Sequence, residues 1–412
     1  MTRRHDIDAL RVLAFGLLIL YHVGMVYVAE WNFHVKSAHT YEWLQWPMIA
    51  INRWRMPLLF VLSGIALGLA LAGRDGEPRP GWPMAGTRSL RLLLPLAFGM
   101  VAIVPIQVYC EALANGVIER GFVDFMLRYL QFQPWPEGGW AGAEYGMTWN
   151  HLWYLAYLWL YTMLLLALRP ALDGVHGNTL RQWSARRHGI WGLLLPAIWF
   201  FACQWWLAPR FPETHALGGD WYAHAKYFAF FLLGYLGSTS TRFWDVINGA
   251  RWPLTTLALF AISVELALRA AGRLLPPGDL PAWALQVNWA MIERGARALY
   301  SWSAILAILA WARIRLNHPF PWLRYANEAV YPWYILHQSL IVPLAFALSA
   351  LALAGWQEAM LVLIGTIAGC LLLHEYLIRR IRWLRPLFGL KSHDMTGYDA
   401  PSPTSTARNT HV

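Results

Sequence analysis

The chain has 412 residues, 58% of them hydrophobic and only 14% charged, with a mean hydropathy of +0.36 and a formal net charge of +10. Soluble domains carry about 25% charged residues, and the shortfall here runs through the whole chain, which excludes a soluble domain with one anchor. The positive charge falls in the loops between apolar runs, so it reads as membrane orientation rather than as a nucleic-acid surface.

A spanning helix needs about 20 mostly apolar residues. The sequence predicts ten, at 9–29, 47–72, 91–111, 151–168, 189–208, 224–240, 253–270, 296–312, 329–351 and 357–378. This is an all-α, polytopic membrane fold. The segment at 224–240 is short, and Arg flanks the one at 296–312 on both sides. The 26 Trp residues suit the many membrane–water rims of such a bundle. With the N-terminus inside, the inner segments hold 21 Lys and Arg and the outer ones 11. That bias predicts both termini in the cytoplasm and a chain integral to the cytoplasmic (inner) membrane.

Residues 1–390 read as one membrane domain. Residues 391–412, rich in Ser, Thr and Pro, read as a disordered cytoplasmic tail. Helix 1 reads as a retained span rather than a cleaved signal peptide, because Arg11 and His22 interrupt its apolar run, Asp6 and Asp8 sit in its basic flank, and Tyr27-Val28-Ala29 is a poor cleavage site. The largest outer loop, 112–150, holds Trp135 and Trp140 in a Gly/Pro-rich stretch that offers either stacking faces for sugar rings or interfacial anchors. The three cysteines, Cys110, Cys203 and Cys370, are far apart and have no metal-ligand spacing, so they read as buried thiols.

Ionisable side chains inside bilayer helices are costly, about 2.5–3.5 kcal/mol each on insertion scales, and face a cavity or a partner. Helix 1 carries Arg11 and His22, eleven residues apart. That spacing puts both on one face, about 16 Å apart along the axis. Asp8 lies on the same side, within pairing reach of Arg11. The bland reading has Arg11 snorkelling to headgroups and His22 bonding a neighbouring helix. Helix 2 carries Arg53 and Arg55, about 200° apart, so one is expected to bind an anionic group and the other to sit at the interface. Ser63-Gly64 reads as a close packing point rather than a nucleophile, since no base adjoins Ser63 in sequence. His151 opens helix 4. In helix 9, Tyr334, His337, Gln338 and Ile341 share a face, following Tyr331. Interhelical hydrogen bonding explains that band as readily as function does. His374-Glu375 reads as structural or interfacial.

These residues carry a resemblance. Asp8-Ala9-Leu10-Arg11 followed after ten residues by His22, then Arg55-Met56-Pro57-Leu58-Leu59-Phe60-Val61-Leu62-Ser63-Gly64, then Tyr331-Pro332-Trp333-Tyr334-Ile335-Leu336-His337-Gln338, occur in that order. In these motifs the chain resembles the acyltransferase-3 family of integral membrane acyltransferases over about residues 5–385. The Arg-Met-Pro lead-in is most similar to the branch that contains the glucan-modifying succinyltransferases.

The resemblance implies transfer of an acyl group, acetyl or succinyl, from cytoplasmic acyl-CoA to a hydroxyl of an extracytoplasmic carbohydrate, a periplasmic glucan or surface polysaccharide. It implies His22 as general base or transient acyl acceptor, and Arg11 orienting the donor or the histidine. Arg53, Arg55, His151, Tyr331, Tyr334 and His337 are the candidate substrate-binding residues. No permanently bound cofactor and no metal is expected. The expected partners are acyl-CoA, the carbohydrate acceptor and the lipid bilayer. Some relatives carry a fused extracytoplasmic domain for which this chain has no room, so a glycan-synthesis partner protein supplies that function if transfer needs it. Two other classes compete. A glycan or lipid exporter would use the same polar faces as a path, and would release its cargo unmodified. A non-catalytic subunit would tolerate loss of His22.

Overall fold

A computed structural model of the chain describes residues 3–73, 81–136, 138–140, 142–173, 189–274 and 281–391. All regular elements among the described residues are helical. They are α1 (His5–Tyr27), α2 (Gln45–Ala72), α3 (Gly81–Phe98), α4 (Pro105–Ala114), α5 (Phe122–Tyr129) and α6 (Trp153–Asp173). There follow α7 (Gly189–Leu194), α8 (Pro196–Ala202), α9 (Trp221–Gly237), α10 (Thr241–Gly249), α11 (Arg251–Leu274) and α12 (Ala282–Leu285). The chain ends with α13 (Trp289–Arg315), α14 (Leu323–Leu348), α15 (Gly355–Leu372) and α16 (Leu384–Leu387).

Helix occupies each of the ten expected segments, with shifted edges. Among the described residues seven helices are long and apolar enough to cross a membrane: the runs through α1, α2, α3, α6, α11, α13 and α15. The others fall short for visible reasons. The run 189–207 is built of short pieces, α9 has 17 residues, and α14 carries Arg324, Asn327, Glu328, His337 and Gln338. The third run starts at Gly81, ten residues before the expected edge, because Thr87, Arg88 and Ser89 dilute the hydropathy of its first turns. Residues 392–412, most of the expected tail, lie outside the described residues.

Polar pairs sort to opposite ends of the bundle. At one end Asp6 of α1 meets Arg4 at 2.7 Å and Arg313 of α13 at 4.0 Å, and Arg379 meets Glu328 of α14 at 3.3 Å. At the other, Glu30 meets Arg273 of α11 at 3.3 Å, and Tyr27 and Ser37 donate to the buried Glu358 of α15. Helices α1 and α14 begin at the first end and α15 at the second. One apolar cluster runs from Ile7 to Phe388.

Helices α2 and α9 approach closely. A Cβ built on Gly64 would overlap the carbonyl oxygen of Phe231, and one on Gly234 would overlap that of Val61. Only glycine allows backbones this near, and dispersion between them replaces the hydrophobic drive that is missing in lipid. Ser63 beside it bonds the Tyr154 hydroxyl at 2.7 Å. Between α3 and α4 the ladder widens to a π turn, Gly99–Ile103, just before Pro105, which has no N–H to give. The turn exposes carbonyls that side chains take up: Ser339 donates to Ile103 at 2.8 Å and Tyr129 to Met100 at 3.2 Å.

The loop 112–150 bears on one of its two expected roles. Trp135 and Trp140 are buried, packed on each other at 5.0 Å between centroids and on Phe125, so those indole faces are not open for sugar stacking. The short α5 is the reason, because its apolar side, Phe125 and Tyr129, needs covering. Cys110, Cys203 and Cys370 are buried free thiols.

Candidate functional site

A cavity of about 580 Å³ opens between α1, α2, α9, α14 and the turns that precede α6 and α9. Its polar lining includes His22 of α1, Arg53 and Arg55 of α2, His151, Glu213, and Lys226 of α9.

His22 is held by a residue 315 positions away: its Nδ1 lies 2.8 Å from Nε2 of His337, with the rings stacked at 5.0 Å. The proton positions follow from the surrounding acceptors. Nδ1 of His337 lies 2.6 Å from the Tyr334 carbonyl and 3.2 Å from that of Trp333. A carbonyl only accepts, so this nitrogen carries the hydrogen. In a neutral ring Nε2 is then a lone pair, and Nδ1–H of His22 donates to it. Nε2 of His22 is left as a lone pair with no hydrogen-bond partner among the described residues, on a side chain that lines the cavity. That is the protonation pattern of a base.

His151 also lines the cavity, but both of its nitrogens are engaged. Nε2 donates to the Ile335 carbonyl at 3.1 Å, and Nδ1 accepts from Gln107 at 3.3 Å. Its ring stands edge-on to His337 at 5.1 Å. It is a fixed wall rather than a second base. Tyr334 donates to the His151 carbonyl at 2.7 Å and forms part of the floor.

Arg53 and Arg55 both line the cavity, against the expectation that only one would. Their directions do diverge, but α2 is itself a wall and long side chains reach round it from both flanks. Arg53 turns toward α11 and binds the fully buried Glu265 at 2.6 Å, which Arg297 of α13 shares at 3.0 Å. Arg55 turns toward α1 and lies over the Tyr21 ring at 3.6 Å.

Two candidates lie elsewhere. Arg11 sits at the opposite end of α1, 3.8 Å from Asp8, and does not line the cavity. Tyr331 faces α3, donating to the Arg91 carbonyl at 3.1 Å, and is absent from the cavity wall. Tyr331 is three residues from Tyr334, yet its hydroxyl reaches the neighbouring helix.

Sequence reasoning missed the far wall. Glu213, in the loop before α9, binds Lys226, His215 and Tyr227. Burial pushes its carboxyl up, but Lys226 and His215 outweigh burial and hold it well below the usual range. His215 stacks on Trp153 at 4.0 Å. The one available signal was Lys226, an ionisable residue inside an apolar segment. Behind α14, Gln338 meets His34 at 2.7 Å, and His34 pairs with Glu111. Among the described residues no cluster has the makings of a metal site.

Nothing among the curated proteins or the solved structures matches this chain. Residues 4–375 do match the model of one family, described as an acyltransferase domain of type 3. That span includes α1 to α15 and every residue that lines the cavity, so the chain belongs to the acyltransferase-3 family and is an integral membrane acyltransferase.

Proposed function

We propose that this protein transfers an acyl group, acetyl or succinyl, from cytoplasmic acyl-CoA to a hydroxyl of an extracytoplasmic carbohydrate such as a periplasmic glucan or surface polysaccharide. The observation that carries the reading is the open Nε2 of His22, set by the chain from the Tyr334 carbonyl through His337. A hydroxyl is a poor nucleophile until its proton is removed as it attacks. His22 Nε2 takes that proton while the hydroxyl oxygen bonds to the thioester carbonyl carbon. Collapse of the tetrahedral intermediate breaks the C–S bond, and the departing sulfur receives the proton from His22. His337 holds the ring and its tautomer.

Arg11 lies about 16 Å from His22 along α1 by helical rise. In this reading it meets the nucleotide end of the donor while the thioester reaches His22. Phe15 and Tyr334, with ring centroids at 5.3 Å, pack against each other between the two ends, so in this reading they part to let the donor arm through. The orientation rests on the charge bias of 21 against 11 and on the sorting of polar pairs between the ends. In this reading the bundle crosses the inner membrane ten times with both termini cytoplasmic. The protein needs no resident cofactor in this scheme, and any glycan-synthesis partner would only deliver the acceptor.

The test is to weigh surface and periplasmic glycans by mass spectrometry, before and after mild alkali, from cells with the gene, without it, and with His22→Ala at matched protein level. Alkali-labile mass present only with the wild-type protein supports the reading. Unchanged masses with a relocated glycan would instead support an exporter.

A further inference from the structure

The far wall of the cavity holds a backbone conformation that its surroundings must maintain. Among the described residues three other than glycine have a left-handed φ, and two of them, Asn150 at 46° and His215 at 59°, line the cavity. Glycine takes that conformation freely and any other residue at a cost, so it persists where neighbours enforce it. For His215 the neighbour is Asp220, the N-cap of α9, which is 1% exposed and makes no capping bond with its side chain. Its Oδ2 instead accepts the His215 backbone N–H at 3.0 Å and the Tyr157 hydroxyl at 2.6 Å. Trp149 Nε1 donates to the His215 carbonyl at 3.0 Å. A capping bond stabilises a helix start, and here it is given up to place one side chain. A turn alone would not need this, because glycine serves at nearby Gly219, φ 81°.

His215 does not fill the core either. Its side chain is 40% exposed and lines the cavity, with one face on Trp153 at 4.0 Å between centroids. Its Nε2 donates to Glu213 at 3.2 Å. A carboxylate accepts only, so in the neutral ring Nδ1 is a lone pair, and it has no hydrogen-bond partner among the described residues. The open surface is therefore an apolar ring face with an acceptor at its edge. Glu213 is itself neutralised by Lys226. A lone pair takes a donor, so the ligand that fits is neutral, with an apolar face and hydroxyls at its rim. A pyranose ring has C–H bonds on its face and hydroxyls around it. The amide arm of the acyl donor has N–H groups but no flat apolar face, and the adenine stays, in the reading above, at the opposite end with Arg11.

Resting on that acyl-transfer reading, we propose that His215, backed by Trp153, is the platform for the acceptor sugar. A pyranose ring lies with its C–H face on the imidazole and donates one hydroxyl to Nδ1. That pose turns a further hydroxyl to Nε2 of His22 across the cavity. His215 binds and orients; it makes and breaks no covalent bond and carries no proton of the reaction.

The experiment uses the full-length protein in lipid vesicles, acetyl-CoA and succinyl-CoA as donors, and surface and periplasmic glycans from cells lacking the gene as acceptor. H215N keeps the left-handed backbone and an acceptor oxygen but has no ring face, and H215G frees the backbone and removes both. Both are expected to raise the acceptor KM about tenfold, the size of a lost ring contact, with donor KM and kcat within about twofold of wild type. A structural role would instead lower the melting temperature and raise both KM values. Competition gives a readout independent of any variant. The acceptor glycans hydrolysed to cyclic monosaccharides inhibit transfer, and the same hydrolysate reduced to open-chain alditols, at equal concentration, does not. An unchanged acceptor KM in both variants, a donor KM raised as much as the acceptor's, or equal inhibition by cyclic and reduced sugars overturns the platform while leaving acyl transfer standing. No ester from either donor with the wild type overturns the acyl-transfer reading, and this one with it.

Discussion

Nδ1 of His22 and Nε2 of His337 lie 2.8 Å apart, joining α1 to α14 through two imidazoles. The pair resembles the base and orienting group of a hydrolytic triad, with one difference in chemistry. The orienting group is a neutral ring fixed by a backbone carbonyl, not a carboxylate. It sets the tautomer without placing a negative charge in the bundle.

His337→Ala removes that acceptor and frees the His22 ring to rotate. General-base catalysis contributes about 10²- to 10⁴-fold, and losing its alignment is expected to lower kcat by about 10²-fold with donor KM little changed. His337→Gln offers an amide oxygen at a similar reach and should recover part of the loss. A rate within twofold of wild type in His337→Ala would remove the positioning role.

Glu265 is the hub of a buried ion-pair cluster, accepting from Arg53, Arg269 and Arg297. Glu265→Gln leaves Arg53 without a carboxylate partner among the described residues, while Arg269 and Arg297 keep Glu293. Breaking a buried pair from one side costs about 3–5 kcal/mol, so the melting temperature of the detergent-purified protein is expected to drop by several degrees or more. An unshifted melt would show that the cluster adds no stability.

Gly64→Ala drives a methyl group into the carbonyl of Phe231 across the α2–α9 contact. Overpacking of this kind costs about 1–3 kcal/mol. Gly16→Ala, where nothing lies within 4 Å of the added carbon, is the control and should melt as wild type does. The same melt for both would mean that α2 and α9 are farther apart than described.

Gly116 and Gly249 are exposed, and a side chain at either meets open space. In the proposed orientation Gly116 lies outside and Gly249 inside, while the three native thiols are buried. An impermeant maleimide applied to intact spheroplasts should label Gly116→Cys, and should label Gly249→Cys only after lysis. The reverse pattern would invert the protein in the membrane.

Much of the helix placement was legible because a bilayer demands long apolar runs. Edges were not, wherever amphipathic turns such as Thr87-Arg88-Ser89 extend a helix past its apolar stretch. His22 announced itself as a lone ionisable group in such a run. Its partner His337 was visible only as part of a polar band, because contact across 315 residues is a property of packing and not of either segment. Helical angle misjudged the Arg53 and Arg55 pair, since it locates Cβ atoms and not the ends of long side chains. Tyr331 and Tyr334 looked equivalent from their motif, yet one bonds α3 and the other floors the cavity. The division between Arg53, neutralised by Glu265, and Arg55, paired with no acid among the described residues, could not be read at all, because Glu265 lies 212 residues from its partner.

The central claim is that Nε2 of His22 removes the acceptor proton. The most direct measurement is ester formation by wild-type protein and by His22→Ala and His22→Gln variants, purified to the same oligomeric profile and reconstituted in vesicles with acyl-CoA and glucan. A loss of at least about 10²-fold in both variants, with the melting temperature kept, is the expected result. Near-wild-type ester formation in either would contradict it.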